Sequence, residues 1–221
     1  MRSDAVIFDL DGTLVDTLVD IAAAMNHVLS EQGLPTHPVA AYRGFVGHGV
    51  LDLAARVLPE GDPTPLDELA ARFLSRYDAH LVDATLPFAG VPEFLAALAA
   101  EGSLLAILSN KPDAQTRRIA QALLPDTPFR IVRGQRDGVP VKPDPQSALE
   151  VAAALGVAPD RCTFVGDSTV DIETARNAGM CCAAVTWGYA ERAVLEVTWP
   201  RVLVDTLEDL GHVLGVRWPL P

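Results

Sequence analysis

Short apolar runs punctuate the chain: AVIF (5–8), LLAIL (104–108), FRIV (129–132), CTFV (162–165), CCAAV (181–185) and VLV (202–204). Runs of this length, rich in Val, Ile, Leu and Phe and ended by glycine or polar residues, predict strands buried on both faces. Between most of them apolar positions repeat at helical spacing, over 113–124, 146–155 and 170–178, and Gly156 and Gly179 follow the last two where helix terminators belong. Strand and helix in alternation predict an α/β fold: a Rossmann-like three-layer α/β/α core with a parallel sheet and right-handed crossovers. In such sheets ligands sit at the carboxyl ends of the strands.

Residues 9–103 separate the first two predicted strands, far more chain than any other crossover uses, and the excess predicts an insertion. Within it Leu18, Ile21, Ala22, Met25, Val28 and Leu29 keep a helix period up to Gly33. Further helices are predicted over 49–58 and 66–82, separated by the turn-rich GLPTHP and LPEGDPTP. The pattern reads as an inserted all-helical cap subdomain over 15–83, set in a discontinuous core of 1–14 and 84–221. Such a cap leaves and rejoins the core beside the carboxyl end of the first strand, where it covers whatever binds there. Its hinges are predicted near 14–18 and 82–88.

Composition narrows the setting. Of the 221 residues 49% are hydrophobic, enough for a packed core, and charged or turn residues interrupt every apolar stretch well short of membrane-spanning length. The opening MRSDAVIFDL has neither the basic nor the apolar region of a signal peptide, which predicts a cytoplasmic protein. The net charge is −12, from 17 basic and 29 acidic residues, with no basic run to track a phosphate backbone or an anionic membrane. Neither nucleic acid nor membrane is expected as a partner, and the chain is expected to be a monomer or homodimer. Cys162, Cys181 and Cys182 have no disulfide or zinc spacing and read as reduced core residues. His27, His37, His80 and His212 form no metal-ligating pattern either. The only lysines are Lys111 and Lys142, whose compact point charges differ from the arginine used everywhere else.

Residues with chemical potential lie just after predicted strands: Asp9 and Asp11 after the first, Ser109, Asn110 and Lys111 after the second, Lys142 beyond the third, Asp167 and Asp171 after the fourth. A common sheet edge brings them together. Carboxylates two positions apart in an extended segment point to the same side, where they repel unless a cation offsets them. Magnesium suits that task, because it takes few carboxylates and keeps positions for water and a phosphate oxygen. Carboxylates, a hydroxyl and a lysine around such an ion are what magnesium-dependent phosphoryl transfer requires. Each motif also has a plainer explanation. DxDG serves as a turn, Ser109 and Asn110 cap a helix where a strand gives way to it, and Asp167 and Asp171 favour the amino end of a helix.

The ordered motifs FDLDGT (8–13), LSNKP (108–112), VKPDP (141–145) and VGDSTVDIETARNAG (165–179), with a helical insertion after the first, resemble the haloacid dehalogenase-like superfamily over nearly the whole chain. SNKP, RGFVGHG (43–49) and VTWGY (185–189) narrow that resemblance to the phosphoglycolate phosphatase group. The resemblance implies a magnesium-dependent phosphomonoesterase of a small phosphorylated metabolite, with 2-phosphoglycolate leading. It makes Asp9 the nucleophile that forms an aspartyl-phosphate and Asp11 the general acid and base. Lys142 then neutralises Asp9 and the phosphoryl oxygens, and the metal contacts are the Asp9 side chain, the Asp11 backbone carbonyl and Asp167. Thr13, Ser109 and Asn110 fall at phosphate-binding positions. Lys111 faces either substrate or solvent, and Asp171 either ligates the metal through water or holds Lys142. In the cap, Arg43, Gly47 and His48 are expected to meet a small carboxylate. Trp187 and Tyr189 are read as packing the edge of the core.

Other activities share these motifs and differ mainly in the cap: a sugar phosphomutase similar to β-phosphoglucomutase, a nucleotidase or a pyrophosphatase. A dehalogenase would lack Asp11, and a phosphonatase would replace it by alanine and carry a cap lysine, which residues 15–83 do not contain. The non-enzymatic alternative is a regulatory binding protein on a phosphatase core. Against it, Asp9, Asp11, Lys142 and Asp167 are all present.

Overall fold

The computed structural model describes residues 3–216 and 218. In chain order its elements are β1 (Ala5–Phe8), β2 (Val15–Asp16), α1 (Leu18–Glu31), a 3-10 helix (Val39–Gly44), α2 (Val50–Val57), α3 (Leu66–Ala79) and β3 (Leu86–Pro87). There follow α4 (Val91–Ala100), β4 (Leu104–Pro112), α5 (Asp113–Leu123), β5 (Ile131–Gln135), α6 (Gln146–Leu155), a short 3-10 turn (Pro159–Arg161), β6 (Cys162–Gly166), α7 (Thr169–Asn177), β7 (Cys181–Val185), α8 (Arg192–Val197), β8 (Val202–Val204) and α9 (Leu207–Leu214).

Six strands form one parallel sheet in the order β5-β4-β1-β6-β7-β8. β1 is flanked on both sides, by β4 and β6, which explains why AVIF carries no polar residue. Its side chains alternate between two cores. Val6 and Phe8 pack with α4, α5 and α9, whereas Ala5 and Ile7 pack with α6, α7 and α8. The layers are therefore helix, sheet and helix, as the run of apolar segments predicts. Phe8 lies opposite Ile107 and Val165, so Asp9, the polar end of β4 and Asp167 all emerge at one edge.

The structure corrects several boundaries. β4 continues through SNKP to Pro112, because its register with β5 shifts between Leu108 and Pro112 and then resumes at Gln135. Ser109, Asn110 and Lys111 consequently lie inside an extended strand, and the helix begins only at Asp113. β5 starts two residues later than predicted, at Ile131. α4, α8, α9 and the β2–β3 ribbon have no counterpart in the sequence reading. Among the described residues no helix is long and apolar enough to cross a membrane.

Between β2 and β3 the chain forms α1, the 3-10 helix, α2 and α3, which bury Ile21, Met25, Leu29, Leu53, Leu69 and Phe73 among themselves. Asn26 braces this segment: its amide donates to the His37 carbonyl (2.8 Å) and its oxygen accepts from Tyr42 Oη (2.8 Å). His37 is thus a structural residue. The entry and exit chains pair antiparallel, Val15 opposite Pro87 and Asp16 opposite Leu86.

Asp20, in the first turn of α1, reinforces that junction. Its buried carboxylate accepts from the Ala84 amide (2.9 Å), the Thr85 amide (2.8 Å) and Thr85 Oγ1 (2.7 Å). Asp20→Ala leaves three donors without an acceptor, two of them on buried Thr85, and is expected to destabilise the fold by roughly 2–3 kcal/mol in urea denaturation. A loss below about 0.5 kcal/mol would contradict this role.

Candidate active site

The site is built at the carboxyl edge of β1, β4 and β6. The Asp9 amide donates to the Val165 carbonyl (2.9 Å), and Asp9 Oδ1 accepts from the Leu10 amide (2.7 Å). Lys142, from the loop after β5, reaches the same point: its Nζ lies 3.0 Å from Asp9 Oδ1 and 2.7 Å from Asp171 Oδ1. Burial alone would favour a neutral lysine, but the two carboxylates outweigh it and hold the ammonium charged. Asp171 has a second task. It is the third residue of α7, where its Oδ2 accepts from Ser168 Oγ (2.6 Å) and the Ser168 amide (3.1 Å) in a reciprocal capping box. Of the two roles left open for it, the contact to Lys142 is present.

Asp167 follows β6 and is held by two neutral donors. Thr13 Oγ1 donates to its Oδ1 (2.9 Å) and the Tyr189 amide to its Oδ2 (2.7 Å). Two glycines make room for it. A Cβ on Gly12, whose φ is +80°, would lie 2.3 Å from Asp167 Oδ2, and one on Gly188 would lie 2.2 Å from Asp167 Cβ. Side chains at either position would displace the carboxylate.

Carboxylate oxygens of Asp9, Asp167 and Asp171 fall within 4.8 Å of one another. Burial, against the attraction of Lys142 and with repulsion from Asp171 and Asp11, pushes the Asp9 carboxyl up to about 7. Burial, with repulsion from Asp171 and Asp9, pushes Asp167 up to about 8. Lys142 reaches two of the three carboxylates, so the cluster carries excess negative charge once Asp9 and Asp167 are both ionised. That donor set of hard oxygens suits a divalent cation.

Asp11 occupies a different setting, outside that cluster. Lys111 Nζ lies 3.0 Å from its Oδ1 and 2.9 Å from its Oδ2, and Thr17 Oγ1 donates to Oδ1 (2.7 Å). Lys111 is buried and sits 4.7 Å from the centre of the Tyr77 ring, so the solvent-facing alternative falls away. Tyr189 Oη accepts from the Thr17 amide (2.8 Å) and lies 3.1 Å from Asp16 Oδ1. Tyr77, Thr17 and Tyr189 belong to the surroundings of Asp11, a part that sequence reasoning misses, since it reads Tyr189 only as edge packing. An aromatic with a hydroxyl in the WGY stretch was the one available signal.

A cavity of about 570 Å³ opens over these groups. Asp9, Asp11, Ser109, Lys111 and Asp167 line it from the sheet side, and Arg43, Gly47 and His48 line it from the helical side, with Ile21, Leu53 and Phe73 behind them. Arg43 Nη1 also donates to the Gly188 carbonyl (3.0 Å). Two expected phosphate contacts need correction. Thr13 is not among the lining residues, since its hydroxyl is directed at Asp167. Asn110 touches the cavity, but its carboxamide is engaged by Gly47 and the Lys142 main chain.

Comparison with known proteins agrees with this geometry. A family model of haloacid dehalogenase-like hydrolases matches residues 6–185. A phosphoglycolate phosphatase of Mesorhizobium japonicum is 36% identical over 98% of this chain and 97% of its own length. An N-acetylmuramic acid 6-phosphate phosphatase of Pseudomonas aeruginosa is 33% identical over 94% of this chain and 96% of its own. The crystal structure of a predicted phosphoglycolate phosphatase from Haemophilus somnus superposes with a TM-score of 0.87, at 28% identity, covering 96% of this chain and 98% of that one. Matched from end to end by phosphatases of one family, and holding that family's motifs together at one sheet edge, the chain belongs to the haloacid dehalogenase-like hydrolases and is a phosphatase similar to their phosphoglycolate phosphatases.

Proposed function

We propose that the chain is a magnesium-dependent phosphomonoesterase working through an aspartyl-phosphate on Asp9, with residues 15–83 as its cap. The observation that carries this reading is the buried carboxylate cluster with a single lysine, since Asp9, Asp167 and Asp171 can be ionised together only if a further cation offsets their repulsion. Asp9 and Asp167, with the Asp11 carbonyl, would hold magnesium, which when bound neutralises phosphoryl oxygens and the repulsion among the carboxylates.

The remaining chemistry belongs to the protein. Lys142 fixes Asp9 Oδ1, leaving Oδ2 for attack on phosphorus. As the new oxygen–phosphorus bond forms, the bond to the alcohol oxygen breaks and that oxygen takes a proton from Asp11. In the second displacement Asp11 takes a proton from water, the water oxygen bonds to phosphorus, and Asp9 is released as a carboxylate. Ser109, which lines the cavity at the end of β4, would donate its hydroxyl to the transferring group.

The substrate is a small phosphorylated metabolite. 2-Phosphoglycolate leads, because Arg43 offers a guanidinium and His48 a ring N–H to a carboxylate at the cavity edge and several relatives carry the name phosphoglycolate phosphatase. The cavity volume and its apolar wall favour a second reading, a bulkier ester of the kind named for the Pseudomonas relative.

Phosphate release from 2-phosphoglycolate and from N-acetylmuramic acid 6-phosphate tests both. The first reading expects 2-phosphoglycolate to have the higher kcat/KM, and the reverse order would establish the second. Either reaction should stop with EDTA and fall by at least about 10³-fold in Asp9→Asn. Metal-independent turnover, or an active Asp9→Asn, would refute the mechanism.

A pH dependence follows from the raised carboxyls. Unfolded aspartates titrate near ~3.9, so Asp9 and Asp167 keep their protons in the metal-free fold where the unfolded chain has lost them. Their contribution to stability is complete below that value and is lost as pH rises through about 7 and about 8. A cation that binds the ionised pair reverses the loss. The rise in Tm on adding magnesium is therefore expected to be larger near about pH 8.5 than near about pH 6. Equal increments in thermal denaturation would contradict it.

A further inference from the structure

Asn110 stands where β4 slips register, buried beside the site, and every polar hydrogen and acceptor of its carboxamide has a partner. Oδ1 accepts from the Lys142 amide (2.8 Å), and Nδ2 donates to the Lys142 carbonyl (3.0 Å) and to the Gly47 carbonyl (2.9 Å). These partners also set its orientation, since a flipped amide would place N–H against N–H and oxygen against two carbonyls. No donor is left for a phosphoryl oxygen.

The bonds join two parts of the site. Clasping residue 142 by both its amide and its carbonyl fixes the main chain from which the lysine runs to Asp9 and Asp171. The remaining hydrogen holds Gly47, in the segment between the 3-10 helix and α2. The 3-10 helix before it reaches the other side of the site: Arg43 holds the Gly188 carbonyl, next to the residue whose amide holds Asp167.

We propose that Asn110 is a positioning residue that registers the docked loop at Gly47 and couples its position to Lys142. This deepens the reading above and rests on its role for Lys142. When the loop leaves, the carboxamide loses one of three anchors and Lys142 is less firmly held. Docking of the helical segment over a substrate then completes the clasp at the moment the lysine is needed.

Hydrogen exchange on the ligand-free protein, with steady-state kinetics on p-nitrophenyl phosphate, tests this. In Asn110→Ala, exchange is expected to rise in peptides covering 44–49 and 138–144 together. kcat should fall roughly 10- to 100-fold while KM moves less than about threefold. Asn110→Asp keeps the shape and the acceptor for the Lys142 amide but turns a carboxylate towards two carbonyls. It is expected to raise exchange at 44–49 and leave the Lys142 amide protected. Unchanged exchange at either segment in Asn110→Ala, or a raised KM with unchanged kcat, would overturn the proposal. Absence of phosphate release by the unmodified enzyme would refute the hydrolase mechanism, while the exchange data would still decide the coupling.

Discussion

Asp9, Asp167 and Asp171 bring carboxylate oxygens within 4.8 Å of one another inside the protein, where lost hydration and mutual repulsion both oppose their charge. Much of the surrounding structure answers that opposition. Lys142 spans Asp9 and Asp171, the capping box takes the second oxygen of Asp171, and Thr13 with the Tyr189 amide takes both oxygens of Asp167. Gly12 and Gly188 let the backbone approach where a side chain would collide. Hydrogen bonds orient these groups, yet ionising Asp9 and Asp167 together leaves negative charge in excess, which a divalent cation would offset.

The same sheet edge gives two neighbouring aspartates different surroundings. Asp9 lies among carboxylates, with one oxygen fixed and the other free. Asp11, two residues on, rests on Lys111 and Thr17 and faces the helical segment across Tyr77. Distinct environments for paired carboxylates are how one site assigns a nucleophile and a proton carrier. The helical segment connects to both halves, through Gly47 to Asn110, which clasps the Lys142 main chain, and through Arg43 to Gly188, beside the residue whose amide holds Asp167.

Much of this was legible in the sequence, for identifiable reasons. β1, β7, β8 and α6 fall where the apolar pattern put them, because strands buried on both faces and helices closed by glycine leave unmistakable runs. The convergence of Asp9, Lys142 and Asp167 followed from topology, since ligand groups after parallel strands share one edge. α4 escaped because VPEFLAALAA is apolar on nearly every side and shows little periodicity. The extension of β4 through SNKP depends on a register shift against β5, which no local pattern announces. Partners such as Thr13 and Asp167, 154 positions apart, or Asn110 and the Lys142 main chain, become visible only when the chain is folded.

The claim on which the rest turns is that Asp9 takes up the phosphoryl group. Rapid acid quenching during turnover, followed by peptide mass spectrometry, addresses it directly, because an acyl phosphate survives acid long enough to be mapped. Phosphate is expected on the Asp9 carboxylate, rising within the first turnover and decaying as substrate is exhausted. Phosphate on another residue, or none at any quench time under conditions where hydrolysis of the intermediate limits the rate, would contradict it.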